Sequence, residues 1–192
     1  MRPGEDDHER THVLVPKVRN PEALLAGTLA LIREDMQLPE SFPSEVEAEA
    51  RQAVARALPP GDDLTSIEFV TIDPEGATDL DQALHLAEQG DGYVVHYAIA
   101  DVAAFVVGGG AVDAEARERG QTLYAPDGRI PLHPTVISED AASLLEGADR
   151  PAYVWRFELD AAANVTATSL GRARVRSRHQ YSYADVQTQL DA

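Results

Sequence analysis

Leu24, Leu25, Thr28, Leu31 and Ile32 recur at three- and four-residue steps, a spacing that predicts a helix. Asn20 followed by Pro21 reads as its N-cap and first helical position, and the stretch PESFPS ends it. Val46, Ala50, Val54 and Leu58 fall four apart behind Ser44 and Glu47, which have the spacing of a capping box. Pro59, Pro60 and Gly61 stop this second helix. Residues 20–66 are therefore expected to form a helical hairpin, a common packing unit, ahead of the main domain. Residues 1–19 are expected to be disordered or extended, with a short strand at His12–Val18 broken by Pro16.

From Ile67 the pattern changes to strands. Phe69–Ile72 is one. Ala83–Ala87 and Tyr93–Ile99 predict a hairpin joined by the turn QGDG. Val112–Arg119 reads as a short helix closed by Gly120, and Ser138–Leu145 as another. Tyr153–Leu159 and Asn164–Ser177 predict a second hairpin across DAAAN, and Tyr183–Leu190 a last helix capped by Ser182. Strands with segregated helices give an α+β class: a mixed, mainly antiparallel sheet over residues 67–192.

Composition narrows the chemistry. The 192-residue chain has no cysteine, which excludes disulfides, zinc-thiolate sites and thiol catalysis and suits a reducing cytoplasm. No apolar run approaches the roughly 20 residues of a membrane span, so no membrane partner is expected. The net charge of −17 argues against a whole-surface attraction to nucleic acid. The charge is uneven, with four arginines against two aspartates in residues 166–192. Attraction to a polyanion must then be local.

The segment TIDPEGATDLDQA places Asp73, Asp79 and Asp81 within nine positions. Carboxylates this close repel one another unless a cation neutralises them. An all-oxygen, all-aspartate set suits magnesium or manganese rather than zinc. Asp73 closes an apolar strand, and Asp79 and Asp81, two apart, share one side of an extended segment. A loop with Pro74 and Gly76 can fold back to unite the three. By spacing alone the segment fits a solvated acidic turn, the usual state of acidic loops. The glutamate that would close an EF-hand loop is absent.

Three segments follow in order: TIDPEGATDLDQAL, YAIADVAAFV and RGQTLYAPDGRIPLHPTVISEDAASLLEG. Together they closely resemble the ribonuclease II family, whose catalytic module is the RNB domain, and the resemblance runs from about Phe69 to the C-terminus. It implies a magnesium-dependent, hydrolytic 3′-to-5′ exoribonuclease that acts on single-stranded RNA and releases nucleoside 5′-monophosphates. On this chain it makes Asp73, Asp79 and Asp81 the catalytic, metal-binding carboxylates. Where the family has a fourth aspartate this chain has Gln82, an oxygen ligand without charge. The resemblance also covers only the first part of an RNB domain. The remainder of that domain, or another chain, is thus an expected partner, and apolar surface is expected where it would pack. Gln82 and the partial coverage keep open a non-catalytic RNA-binding or regulatory module with the same fold.

Tyr124 can stack on a base without reading sequence, and the resemblance places it among the rings that hold the RNA 3′ end; packing in the core is the alternative. Arg172, Arg174, Arg176 and Arg178 alternate with Ala173, Val175 and Ser177, so in a strand they form one basic face able to follow phosphates. The same face would also serve simply to balance an acidic protein. Asp101 follows an apolar strand and reads either as a cap or as a neighbour of the cleft. The six histidines have no zinc-like spacing.

Overall fold

The structure, a computed structural model, describes residues 21–56, 59 and 61–192. The expected disordered stretch 1–11, the His12–Val18 strand, the Asn20 cap and Leu58 lie outside the described residues. The chain divides into two compact units. In the first, helix α1 (Pro21–Asp35) follows the predicted apolar repeat. Arg33 in its last turn makes a two-pronged ion pair with Asp127 of the same unit.

The second unit is built on a six-stranded mixed sheet. Its strands are β1 (Asp62–Asp63), β2 (Phe69–Asp73), β3 (Gln82–Gln89), β4 (Gly92–Ala100), β7 (Asp149–Leu159) and β8 (Val165–Ser182). β5 (Leu123–Ala125) and β6 (Gly128–Ile130) form a separate ribbon. The order is β1-β8-β2-β3-β4-β7, and β7 also pairs with β8, so the ladder closes on itself. The 18 residues of β8 make this possible: its first part runs antiparallel to β7 and its last part parallel to β2. The pairing shifts register at Phe69/Val70, where Arg178 is passed over, as at a bulge that bends a strand. The remaining ladders are antiparallel except β1–β8.

Period-two alternation sends Phe69, Ala83, Ala98, Val154, Ala173 and Val175 inward, all buried. The alanines leave room for Phe69 and for Leu80 and Leu144, which are fully buried among them. Burial of Phe69 alone stabilises by roughly 1.5–3 kcal/mol. On the outward face Leu86, Tyr93, Ile99 and Leu170 remain exposed.

A second apolar cluster joins helix α2 (Ser44–Val54) to helix α3 (Ala111–Arg119). Val46, Ala50 and Ala53 pack with Phe105, Val112 and Ile137. Glu49 of α2 accepts hydrogen bonds from the N–H groups of Ala111 (2.8 Å) and Val112 (3.2 Å). Those donors have no partner within the helix, and the positive end of the helix favours a carboxylate.

Two sequence expectations change. The capping box at Ser44 and Glu47 does not form: Pro43 is the N-cap, and Ser44, already helical, turns its hydroxyl to Glu45. The helix expected over Ser138–Leu145 shortens to a single π turn, Ile137–Ala141. The chain beyond it is diverted because the Leu144 N–H bonds the Leu80 carbonyl (2.8 Å). The last helix, α4 (Tyr183–Leu190), has the expected Ser182 cap, completed as a box by Asp185.

Asp101 is a buried cap. It follows β4, accepts the Ala104 N–H (3.1 Å) and forms an ion pair with Arg172 of β8 at 2.7 Å. The Arg172 guanidinium also lies 4.9 Å over the Tyr153 ring. Removing one partner of a buried pair strands the other charge away from water. Arg172→Ala is therefore expected to lower stability by about 3 kcal/mol in urea unfolding. A loss within experimental error of zero would show that Asp101 is solvated and that the pair carries no structural weight.

Candidate active site

Strand β2 ends at Asp73, which fixes the first carboxylate. A turn follows, closed by the Ala77 N–H on the Pro74 carbonyl (3.1 Å), with Gly76 at φ +78°, a conformation that costs glycine little. Leu80 is wholly buried. Its N–H bonds the Ser143 hydroxyl (3.0 Å), which in turn donates to the Thr78 carbonyl (2.7 Å). The Asp81 carbonyl accepts from the Ala100 N–H (2.8 Å). Leu80 is pinned inward, while its neighbours Asp79 and Asp81, in the irregular segment ahead of β3, stay accessible to solvent. Asp73, Asp79 and Asp81 line one open pocket together with Tyr124 and Arg129. An adjoining cleft brings in Ser138 and Glu139.

Arg129 governs the electrostatics of this pocket. Its guanidinium reaches Asp79 Oδ1 (2.8 Å), Glu139 Oε2 (2.8 Å) and the Thr78 hydroxyl (2.9 Å). The Tyr124 hydroxyl donates to Asp79 Oδ2 (2.9 Å) while the residue stays 71% exposed. Partial burial pushes the Asp79 carboxyl up, but the bonds from Tyr124 and its own N–H and the charge of Arg129 outweigh it and hold Asp79 below the ordinary carboxylate range. Asp73 goes the opposite way. Partial burial, then the charges of Asp81 and Asp79, raise it. The Tyr124 phenol is raised mainly by its bond to Asp79.

The donor chemistry suits a hard divalent cation: carboxylate oxygens only, crowded enough to disturb one another. The side chains do not converge as they stand. Among the described residues no group of three or more His, Cys, Asp or Glu is arranged to hold a metal ion. Each oxygen of Asp79 is already engaged by a protein donor.

Gln82 does not join the aspartates. It opens β3 and does not line their pocket; its carboxamide oxygen accepts from the Tyr97 hydroxyl. The arginine stripe does face outward, as alternation requires, but it is occupied. Arg172 pairs with Asp101, Arg174 with Asp63, Arg176 with Asp149 (2.6 Å), and Arg178 donates to the Thr65 carbonyl (2.6 Å). Arg129, Glu139 and Thr78 were not singled out in the sequence. One signal was available: Arg129 is the lone Arg or Lys between Arg119 and Arg150 in a strongly acidic stretch.

Comparison with known proteins identifies relatives of this chain. The family model described as "RNB domain" matches residues 62–192. Ribonuclease R of Acidithiobacillus ferrooxidans is 35% identical over 153 residues, which is 78% of this chain and 35% of that protein. Exosome complex exonuclease RRP44 of Mus musculus is 33% identical over 132 residues, 68% of this chain and 14% of that one. Among solved structures, Mycoplasma genitalium RNase R in complex with double-stranded RNA superposes with a TM-score of 0.78 at 26% identity, over 85% of this chain and 30% of that chain. The chain thus spans between 14% and 35% of the length of these two curated relatives.

A raised carboxyl binds its proton more readily in the folded than in the unfolded chain. Asp73 therefore costs nothing below the ordinary carboxylate range and destabilises as pH rises through its raised value. Asp73→Asn is expected to raise the melting temperature at pH 7 and to leave it unchanged near pH 3, by thermal unfolding without added divalent ions. Equal shifts at both pH values would show that neither burial nor repulsion of the Asp73 charge is the cause.

Proposed function

This chain belongs to the RNB family, and from that premise we propose that it forms the carboxylate-bearing part of a metal-dependent 3′-to-5′ exoribonuclease acting on single-stranded RNA. One observation carries the reading: Asp73, Asp79 and Asp81 line a single open pocket with an exposed aromatic ring, Tyr124, at its edge. Asp73 and Asp81, with Asp79, are the residues that would hold magnesium or manganese. When bound, the cation neutralises the phosphodiester and eases deprotonation of a water.

The chain's own groups supply placement. The exposed Tyr124 ring offers a stacking surface for a base, worth about 1–3 kcal/mol. Its hydroxyl is tied to Asp79, so ring and carboxylates keep a fixed spacing. Water adds its oxygen to phosphorus and the bond to the 3′-oxygen of the preceding nucleotide breaks. That oxygen takes a proton, and a nucleoside 5′-monophosphate leaves. The arginine stripe is left out of this proposal because its members are already partnered.

The second reading, an RNA-binding or regulatory module without catalysis, draws support from Gln82, whose carboxamide turns away to Tyr97.

Incubation with 3′-labelled single-stranded RNA is expected to release mononucleotides with Mg2+ and none with EDTA. Asp81→Asn is expected to abolish release while RNA binding persists. Binding without release in the unsubstituted chain selects the second reading. Tyr124→Ala is expected to weaken binding of a short oligonucleotide about tenfold, within the range of one lost stack; unchanged affinity removes Tyr124 from the site.

A further inference from the structure

Arg129 stands in the aspartate pocket as a positive charge supplied by the protein itself. It contacts Asp79 and Glu139 at 2.8 Å each and bonds Thr78 at 2.9 Å. Of the pocket aspartates, Asp79 is the one held by the arginine. Arg129 has a second acidic partner, so leaving Asp79 would not strand its charge.

We infer that Arg129 is a resident counter-cation of this pocket, which a divalent ion must displace from Asp79 before that carboxylate can act as its ligand. This rests on the cation-binding reading proposed above. The physical reason is direct. A divalent ion on Asp79 would lie beside a guanidinium bound to the same carboxylate, and two cations at that range repel strongly in a partly desolvated pocket. The Asp79 side chain therefore serves one or the other. Glu139 and Thr78 retain the displaced guanidinium at the rim of the cleft, whose lining includes Glu139. The pocket is thus set for weak and reversible loading, with Arg129 keeping Asp79 ordered between turnovers.

Mn2+ binding, read by calorimetry and by the loss of the free-ion electron paramagnetic resonance signal, tests this without any activity measurement. Arg129→Ala is expected to bind Mn2+ about tenfold more tightly than the unsubstituted chain, within the usual range of coupled sites. Arg129→Gln, which keeps a hydrogen-bonding side chain without charge, is expected to do the same and guards against misfolding of the alanine variant. A general charge effect is separated by a double-substitution cycle. In the Asp79→Asn background the gain from Arg129→Ala is expected to disappear. Affinity that is unchanged or weaker in both Arg129 variants overturns the inference, as does a gain that survives Asp79→Asn. If neither the unsubstituted chain nor the Arg129 variants bind Mn2+, the cation-binding reading itself fails and takes this inference with it.

Discussion

Leu80 sits at zero exposure between two aspartates, and the site depends on that arrangement. Its neighbours on either side, in the irregular segment before β3, stay accessible while the leucine enters the core. Both neighbours are acidic, and both emerge beside a third carboxylate at the end of β2. The hydrophobic effect thus assembles a group of like charges that electrostatics alone would scatter. The consequence is visible in Asp73, whose carboxyl is raised by partial burial and by its two neighbours.

What holds Leu80 in place is largely backbone. Its N–H and carbonyl are satisfied by Ser143 and Leu144, more than 60 residues away. The same contacts divert the chain after the π turn at Ile137–Ala141 and so place Glu139 beside Thr78 and Arg129. Core packing, the end of one helical segment and the lining of the cleft are therefore one structural decision. The closed ladder of β2, β3, β4, β7 and β8 supplies the rigid frame, and β8 closes it by serving two neighbours in succession.

The acidic excess of this chain is handled pairwise. Asp101, Asp63, Asp149 and Asp79 each meet an arginine. Three of the four outward arginines of β8 have an acidic partner in this way. The pair of buried Asp101 and half-buried Arg172 has a weight that the exposed pairs lack, because solvent screens ion pairs at the surface. The positive charge inside the aspartate pocket is Arg129, and its position there distinguishes it from the arginines of the stripe.

Strand β2, the β3–β4 and β7–β8 hairpins and the capped last helix were legible in the sequence, whereas the short β1, β5 and β6 were not. Each legible element follows from local periodicity or from a turn a few residues long. The partners of the polar side chains were not legible. Arg129 meets Asp79 across 50 positions and Arg174 meets Asp63 across 111. Gln82 turns to Tyr97 because strand pairing puts β4 beside it. Sequence sets which way a side chain points along its own strand, since that is fixed by backbone geometry within two or three residues. Which charge waits for it there is set by chain closure over long separations, and that only the tertiary structure decides.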